Sequence, residues 1–286
     1  MKLAKDWVDY KVIALDNGEK LENWNGVILL RPDPQVIWNN NKNLAKTKDL
    51  NAHYLRSDTG GGHWETIKQY PSEWLVHWKD LSFKVKPMGF KHTGIFPEQA
   101  VNWEIMMDLI KNSNREINVL NLFAYTGGAT VACLKAGAKV CHVDAAKNMV
   151  ERAKENVNMN NLNNGNVRFI VDDCLKFVEK EIRRNKKYDA IIMDPPSYGR
   201  GPSGEMWKIE NDLYNLVIRS VELLSDKPLF YLINSYTTGL QPTVLSNILS
   251  LALKKFDGKV EAYEVCIESV DGSILPCGAS GLFYTK

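Results

Sequence analysis

The hydrophobic positions along the chain change their rhythm near residue 87. Before it, apolar residues fall in short runs: VILLRP (27–32), the DPQVIW that follows, WLVHW (74–78) and LSFKV (81–85). Runs of Val, Ile, Trp and Phe bounded by Asp, Asn, Gly and Pro predict short strands. The segment Ser57–Asp58–Thr59–Gly60–Gly61–Gly62 predicts a flexible turn, because no helix or Lys-Ser/Thr pair follows it, as a phosphate cradle requires.

From Lys86 onward strands and helices alternate. Pro97 opens a helix whose body, QAVNWEIMMDLIKNS (99–113), has apolar residues at helical spacing. Then come the strand INVLNLFAY, a helix ATVACLKAG ending at Gly137, the strand AKVCHVD and the helix AKNMVERAKENVNMNN. VRFIVDD, CLKFVEKEIRRN, YDAIIMD, NDLYNLVIRSVELL, PLFYLINSY and VLSNILSLALKKF continue the alternation, and VEAYEVCIES and SGLFYT read as strands. Such alternation requires a largely parallel sheet with helices on both faces. The expected fold is α/β, with a small β-rich N-terminal domain over 1–86 and a Rossmann-like domain over 87–286.

Composition narrows this picture. With 44% hydrophobic residues among 286, the chain can bury a real core. Lys plus Arg (36) nearly balances Asp plus Glu (34), which excludes a whole-molecule basic surface but not a local basic face. The opening MKLAKDWVDYKV holds no signal-peptide stretch, and no run approaches the ~18–20 apolar residues of a membrane span. The five cysteines (Cys133, Cys141, Cys174, Cys266, Cys277) form no CxxC pair, so neither a disulfide framework nor a metal site is expected. The expectation is a cytoplasmic protein without metal or membrane.

In an open parallel sheet, ligands sit beyond the carboxyl ends of the strands, where strand order reverses. The first such end reads Asn121–Leu122–Phe123–Ala124–Tyr125–Thr126–Gly127–Gly128, whose glycines allow a tight turn and close approach of a ligand. It is not the dinucleotide fingerprint GxGxxG. The second ends in Asp144–Ala145, where a carboxylate either accepts two ribose hydroxyls or caps the next helix. The third ends in Asp172–Asp173–Cys174. Here Asp173 is placed for an adenine amino group and Asp172 for a helix cap, with Cys174 a packing residue. The fourth ends in Asp194–Pro195–Pro196–Ser197–Tyr198: two prolines remove backbone donors and leave the Asp194 carboxylate and the Pro195 carbonyl as acceptors beside Tyr198. Together these describe an adenosine pocket next to an acceptor site for an amine or a base edge.

NLFAYTGGAT, VDAAKNMVERAKENV, DDC and MDPPSY resemble class I S-adenosylmethionine-dependent methyltransferases, most closely the bacterial enzymes that modify 23S ribosomal RNA at cytosine C5 or guanine N7. The resemblance extends to His92–Thr93–Gly94–Ile95–Phe96 and covers roughly 87–240. It implies S-adenosylmethionine as cofactor, S-adenosylhomocysteine as product, and RNA, ribosomal above all, as partner; a homodimer is compatible with it. Thr126, Gly127 and Gly128 would approach the methionine end, Asp144 the ribose and Asp173 the adenine. Phe96 and Gln99 would line the far side, and Asn121, Phe123, Tyr125, Ala145, Asp172 and Cys174 would complete the cofactor set. Asp194, Pro195, Pro196, Ser197 and Tyr198 would form the catalytic segment.

The chain departs from the family at several points. Tyr236, in Asn234–Ser235–Tyr236–Thr237, and Ser197 stand where cytosine-C5 members carry cysteines. Cytosine C5 is unreactive until a thiolate adds at the neighbouring carbon. Glu98–Gln99–Ala100 lacks the family's arginine, and no PUA-type module is recognisable. The expected reaction is therefore methyl transfer to a base nitrogen rather than to cytosine C5. The alternatives are a small-molecule or protein methyltransferase and a non-catalytic RNA-binding protein. His142, in the second strand, reads as a packed core histidine; His92 is nearer the proposed crevice. Arg183–Arg184–Asn185–Lys186–Lys187 reads as a solvated helix end. Tyr198, Arg200, Trp207 and Lys208 are what a stacked nucleotide would need.

Overall fold

The computed structural model describes residues 1–57, 61–200 and 206–285; Asp58, Thr59 and Gly60 of the expected turn and the side chain of Arg200 lie outside the described residues. The chain forms two compact units. The first comprises residues 2–101 and 265–277, and the second residues 102–264 and 278–286.

The first unit contains β1 (Lys2–Leu3), β2 (Tyr10–Asp16), β3 (Glu19–Trp24), β4 (Val27–Pro32), β5 (Leu50–Arg56), β6 (Gly62–Thr66), β7 (Trp74–Trp78) and β8 (Leu81–Val85). Strands β2 to β6 pair in chain order, and β7 pairs with β8. DPQVIW forms no strand. Pro32 and Pro34 remove backbone donors there, and Val36 and Trp38 instead lend their carbonyls to Gly18 and Asn17 at the β2–β3 turn. At the centre of the unit Glu22 is held by Arg31 (Nε to Oε2, 2.6 Å; Nη2 to Oε1, 2.8 Å) and by the Tyr10 hydroxyl (2.8 Å).

This unit runs beyond the expected boundary at 86. The stretch after β8 is tied back into it: Trp64 Nε1 donates to the Met88 carbonyl, Arg31 Nη1 to that of Lys91 and Trp7 Nε1 to that of Pro97. The later segment 265–277 belongs there too, with Val270 N–H bonded to the Val12 carbonyl and Lys42 paired with Asp271. Long-range pairing, which composition does not reveal, sets the division.

The remaining elements are α1 (Ala100–Asn112), β9 (Asn118–Leu122), α2 (Gly128–Lys135), β10 (Lys139–Asp144), α3 (Lys147–Met159), β11 (Val167–Val171), α4 (Cys174–Arg183), β12 (Ala190–Met193), β13 (Tyr198–Arg200), β14 (Met206–Lys208), α5 (Ile209–Val221), β15 (Phe230–Ser235), α6 (Pro242–Ala252), β16 (Lys259–Glu268) and β17 (Ile274–Tyr284). In the second unit the strand order is β11-β10-β9-β12-β15-β17-β16. Neighbours from β11 to β15 are parallel, and β17 runs antiparallel to β15.

Side chains alternate between the sheet faces. Leu120, Leu122, Cys141, Val143, Ile191, Met193, Tyr231 and Ile233 pack with Phe177, Leu213, Leu216, Leu245 and Leu249 of α4, α5 and α6. Each large apolar side chain so buried contributes roughly 1.5–3 kcal/mol. Asn121 and His142 occupy the alternate positions, toward α2. The short β13–β14 hairpin was not expected from the sequence. Among the described residues no helix is long and apolar enough to cross a membrane, and no cluster of three or more His, Cys, Asp or Glu could hold a metal.

Candidate functional site

Register brings the strand ends to one edge. Leu122 is paired with Val143 and Met193, Asp144 with Val171, and Met193 with Ile233. The residues that follow, Phe123, Asp172 and Asp194, thus emerge beside Asp144 and Asn234. Chain order reverses between β9 and β12, the place where open α/β sheets bind ligands.

The loop after β9 is held in an unusual conformation. Phe123 (φ 53°), Tyr125 (φ 50°) and Gly127 (φ 85°) all occupy the left-handed region. Such conformations cost on the order of 1–3 kcal/mol each in non-glycine residues and persist only where surroundings enforce them. Here the N–H of Phe123 bonds to Cys174 Sγ (3.3 Å), that of Ala124 to the Val143 carbonyl (3.0 Å), and that of Tyr125 to Asp144 Oδ2 (2.8 Å). Asn156 Nδ2 holds the Thr126 carbonyl at 2.8 Å.

The glycine pair is set by packing. A Cβ at 127 would lie 2.9 Å from that of Ala153, and one at 128 would lie 2.6 Å from the buried Trp103 ring. Asn121 Nδ2 donates to Thr130 Oγ1 (3.0 Å), which meets His142 Nδ1 at 2.9 Å. His142 is fully buried with Nε2 unpartnered, and burial pulls its pKa down to about 3, so it is a neutral core residue.

Asp144 is not the cap of α3, which has none from a side chain. Its two oxygens each accept one backbone N–H, from Tyr125 and from Ala146, both at 2.8 Å. A carboxylate has about four acceptor positions, so one remains on each oxygen of this half-buried side chain, an acceptor pair that fits the two hydroxyls of a ribose. Burial raises its pKa, with the two backbone N–H groups opposing. Ala145 follows, exposed.

At the next strand end the two aspartates have exchanged the expected capping role. Asp173 caps α4, its Oδ1 accepting from Lys176 N–H at 2.9 Å. Asp172 is pinned by Lys180 (2.6 Å) and by the Asp173 N–H. The reason is geometric: the residue one before the helix presents its oxygen to the free N–H groups of the first turn. Cys174 is buried beneath Phe123, and burial pushes its thiol well above the ordinary range.

Asp194 follows β12, with Oδ1 accepting from Asn234 Nδ2 at the end of β15 (3.0 Å). Pro195 is buried and Pro196 exposed, and the Pro196 carbonyl accepts from Trp207 Nε1 at 2.6 Å. The Trp207 ring lies 5.5 Å from that of Phe123, linking the hairpin to the glycine loop. Ser197 Oγ and Thr237 Oγ1 are 2.6 Å apart, and Tyr198 is half-exposed on the hairpin. Nothing local in the sequence marks Asn234 for this contact, because its bond to Asp194 crosses forty residues. Phe96 and Gln99 belong to the first unit, where Phe96 packs edge-on to His92 and its carbonyl accepts from Gln99 N–H. In the basic run, Arg184 pairs with Glu181 and Lys187 bonds to the Glu222 carbonyl.

Comparison with known proteins adds an independent line. A family model described as S-adenosylmethionine-dependent methyltransferase matches residues 44–245. Ribosomal RNA large subunit methyltransferase K/L of Shewanella frigidimarina is 31% identical over 168 residues, which are 58% of this chain and 23% of that protein. Its counterpart in Shewanella baltica is 28% identical over 200 residues, 69% of this chain and 26% of that one. The chain thus spans about a quarter of the length of these curated relatives. The crystal structure of a methyltransferase of the same cofactor dependence from Agrobacterium tumefaciens matches with a TM-score of 0.91 and 30% identity, over 98% of this chain and 91% of that one. A Streptococcus mutans protein shares the fold, with a TM-score of 0.76 at 18% identity over 98% of this chain and 76% of that one.

Proposed function

Since the chain belongs to the S-adenosylmethionine-dependent methyltransferase family, we propose that it transfers the methyl group to a nitrogen of a base in ribosomal RNA. The observation that carries the choice of nitrogen is the acceptor edge itself: Asp194 held by Asn234, beside Ser197, Thr237 and Tyr236, with no thiol among them. S-adenosylmethionine supplies an electrophilic methyl on a sulfonium.

The chain's own residues then have distinct tasks. Asp144 holds the ribose through its two remaining acceptor positions, and the Oδ2 of Asp173 is left for the adenine. The strained loop from Phe123 onward brings Thr126, Gly127 and Gly128 toward the methionine end. Asp194 accepts a hydrogen bond from the amino or imino group of the base, orients it, and balances the positive charge that develops on nitrogen. Alignment supplies most of the acceleration. The partly exposed Tyr198 and the Trp207–Phe123 pair offer faces on which an extruded base stacks.

The names of the K/L relatives support ribosomal RNA as the substrate. The test is to incubate the protein and labelled S-adenosylmethionine with ribosomal RNA from cells lacking the protein, and in parallel with proteins and metabolites from the same cells, and to identify the labelled product by mass spectrometry. An N-methylated nucleoside is expected. Label in 5-methylcytidine, or in protein or metabolites instead of RNA, overturns the reading.

A further inference from the structure

Behind Asp194 lies a file of buried polar side chains with one direction. Asn234 Nδ2 donates to Asp194 Oδ1 (3.0 Å), and Asn234 Oδ1 accepts from Ser280 Oγ (2.9 Å). Ser280 Oγ accepts in turn from Asn102 Nδ2 (3.0 Å), and Asn102 Oδ1 accepts from the Tyr263 hydroxyl (2.9 Å). Asn102 comes from α1, Tyr263 from β16, Ser280 from β17 and Asn234 from β15, where Asn234 and Ser280 are directly paired across the strands. Asn102 and Ser280 are fully buried, Asn234 is 1% exposed and Tyr263 5%.

Four polar side chains in the apolar body of a sheet cost stability unless every one is satisfied, and these satisfy one another. The order of donors is forced from the Asp194 end. A carboxylate only accepts, so Asn234 must turn Nδ2 toward it and Oδ1 toward Ser280. Ser280 then spends its single proton on Asn234 and must accept from Asn102, whose oxygen is left for Tyr263. Burial raises the pKa of Tyr263, with Glu261 adding to the effect, so the phenol remains a donor at the far end.

We infer that this relay is a positioning device for the reaction, in which Asn234, oriented by Ser280, Asn102 and Tyr263, fixes the rotamer of Asp194 and keeps it a charged acceptor facing the substrate nitrogen. The inference rests on the role of Asp194 proposed above. Asn234 is a positioning residue that acts through Asp194. The relay includes none of the residues assigned to the cofactor, so it governs turnover and not cofactor binding.

Two variants of the full chain test it. Asn234→Leu keeps the size and removes the donor; kcat is expected to fall about 10- to 100-fold, with affinity for S-adenosylmethionine unchanged in calorimetry. Asn234→Asp sets two carboxyl groups against each other; they cannot both ionise, so the pair retains one proton, which restores an O–H donor to Asp194. Turnover by this variant should approach the wild type at low pH and fall as the pair loses its proton, a limb absent from the wild type and from Asn234→Leu. The same proton is visible without any substrate: the stability of Asn234→Asp against denaturant falls as pH rises through the raised ionisation, and adding Asp194→Asn weakens that dependence to the part that burial of the new carboxyl alone imposes. Parallel losses of activity in Asn234→Leu and Asn234→Asp at every pH, or a stability of Asn234→Asp that ignores residue 194, overturn the relay. If Asp194→Ala turns over normally while the stability coupling holds, the assigned role of Asp194 fails instead.

Discussion

The indole of Trp103 fills the space that a side chain at residue 128 would need: a Cβ there would lie 2.6 Å from its ring. Trp103 is 2% exposed, and its ring is a rigid neighbour. Gly128→Ala is therefore expected to lower stability by about 1–3 kcal/mol, as overpacking does. Denaturant unfolding measures this, and the double variant with Trp103→Leu should recover part of the loss, because the two changes share one contact. Additive losses would show that the clash is relieved elsewhere.

Asp144 carries two duties, the left-handed conformation of Tyr125 and the proposed grip on the ribose. Asp144→Ala should weaken S-adenosylmethionine binding by roughly 1–3 kcal/mol, on the order of 5- to 150-fold. The pH response has a definite sign. Burial raises the Asp144 pKa above its ordinary 3.8, so the folded protein binds this proton more tightly than the unfolded chain does. Its contribution to stability is present below 3.8 and is lost as pH rises through the folded value, while cofactor affinity rises over the same interval as the acceptor ionises. Calorimetry and unfolding across that interval, in wild type and Asp144→Ala, check both; a variant with unchanged affinity removes the ribose assignment.

The acceptor chemistry makes a paired prediction. Asp194→Ala should reduce turnover about 10²–10³-fold, the scale of one preorganised electrostatic contact, with cofactor affinity nearly intact. None of the cysteines should be required. Burial pushes the thiols of Cys133 and Cys141 up to about 12 and about 11, and those of Cys174 and Cys277 well above the ordinary range. Each Cys→Ala variant that folds should retain activity within a few-fold, and RNA containing 5-fluorocytosine should trap no protein adduct. A trapped adduct would return the reaction to cytosine C5.

Glu22 and Arg31 form a buried ion pair in the first unit. Burial alone would raise the Glu22 pKa, but Arg31, Lys20 and the hydrogen bonds from Arg31 and Tyr10 outweigh it and hold the group at about 2. The ionised form is thus favoured by folding, so its stabilisation is present above the ordinary 4.5 and is lost as pH falls toward about 2. Glu22→Gln, which leaves the Arg31 charge buried, should cost about 3–5 kcal/mol at neutral pH. Unfolding of both proteins at neutral and acid pH should show the difference shrinking on acidification.

Much of this was written in local order. The period of apolar residues determined β9 to β12 and α2 to α5, because the alternation of strand and helix depends only on which neighbours share a face. The residues ending each strand, from Asn121 to Gly128, Asp144, Asp173 and Asp194, could be singled out because a parallel sheet gathers its carboxyl ends on one edge whatever the details of packing. Local patterns failed where distant partners decide. DPQVIW has the composition of a strand, yet its prolines and its bonds to Asn17 and Gly18 leave it outside the sheet. The division at Val101 depends on contacts returned by residues 265–277, which no composition shift announces. Asp173 rather than Asp172 caps α4 because the residue directly before the first helical position, Cys174, presents its oxygen to the free N–H groups of the first turn. Above all, the side chain that holds Asp194 is forty residues away, and the one that orients it is a further forty-six along the chain. Hydrogen-bond partners at that separation are chosen by strand register and by the requirement that every buried polar group be satisfied, conditions that exist only once the sheet has closed around them.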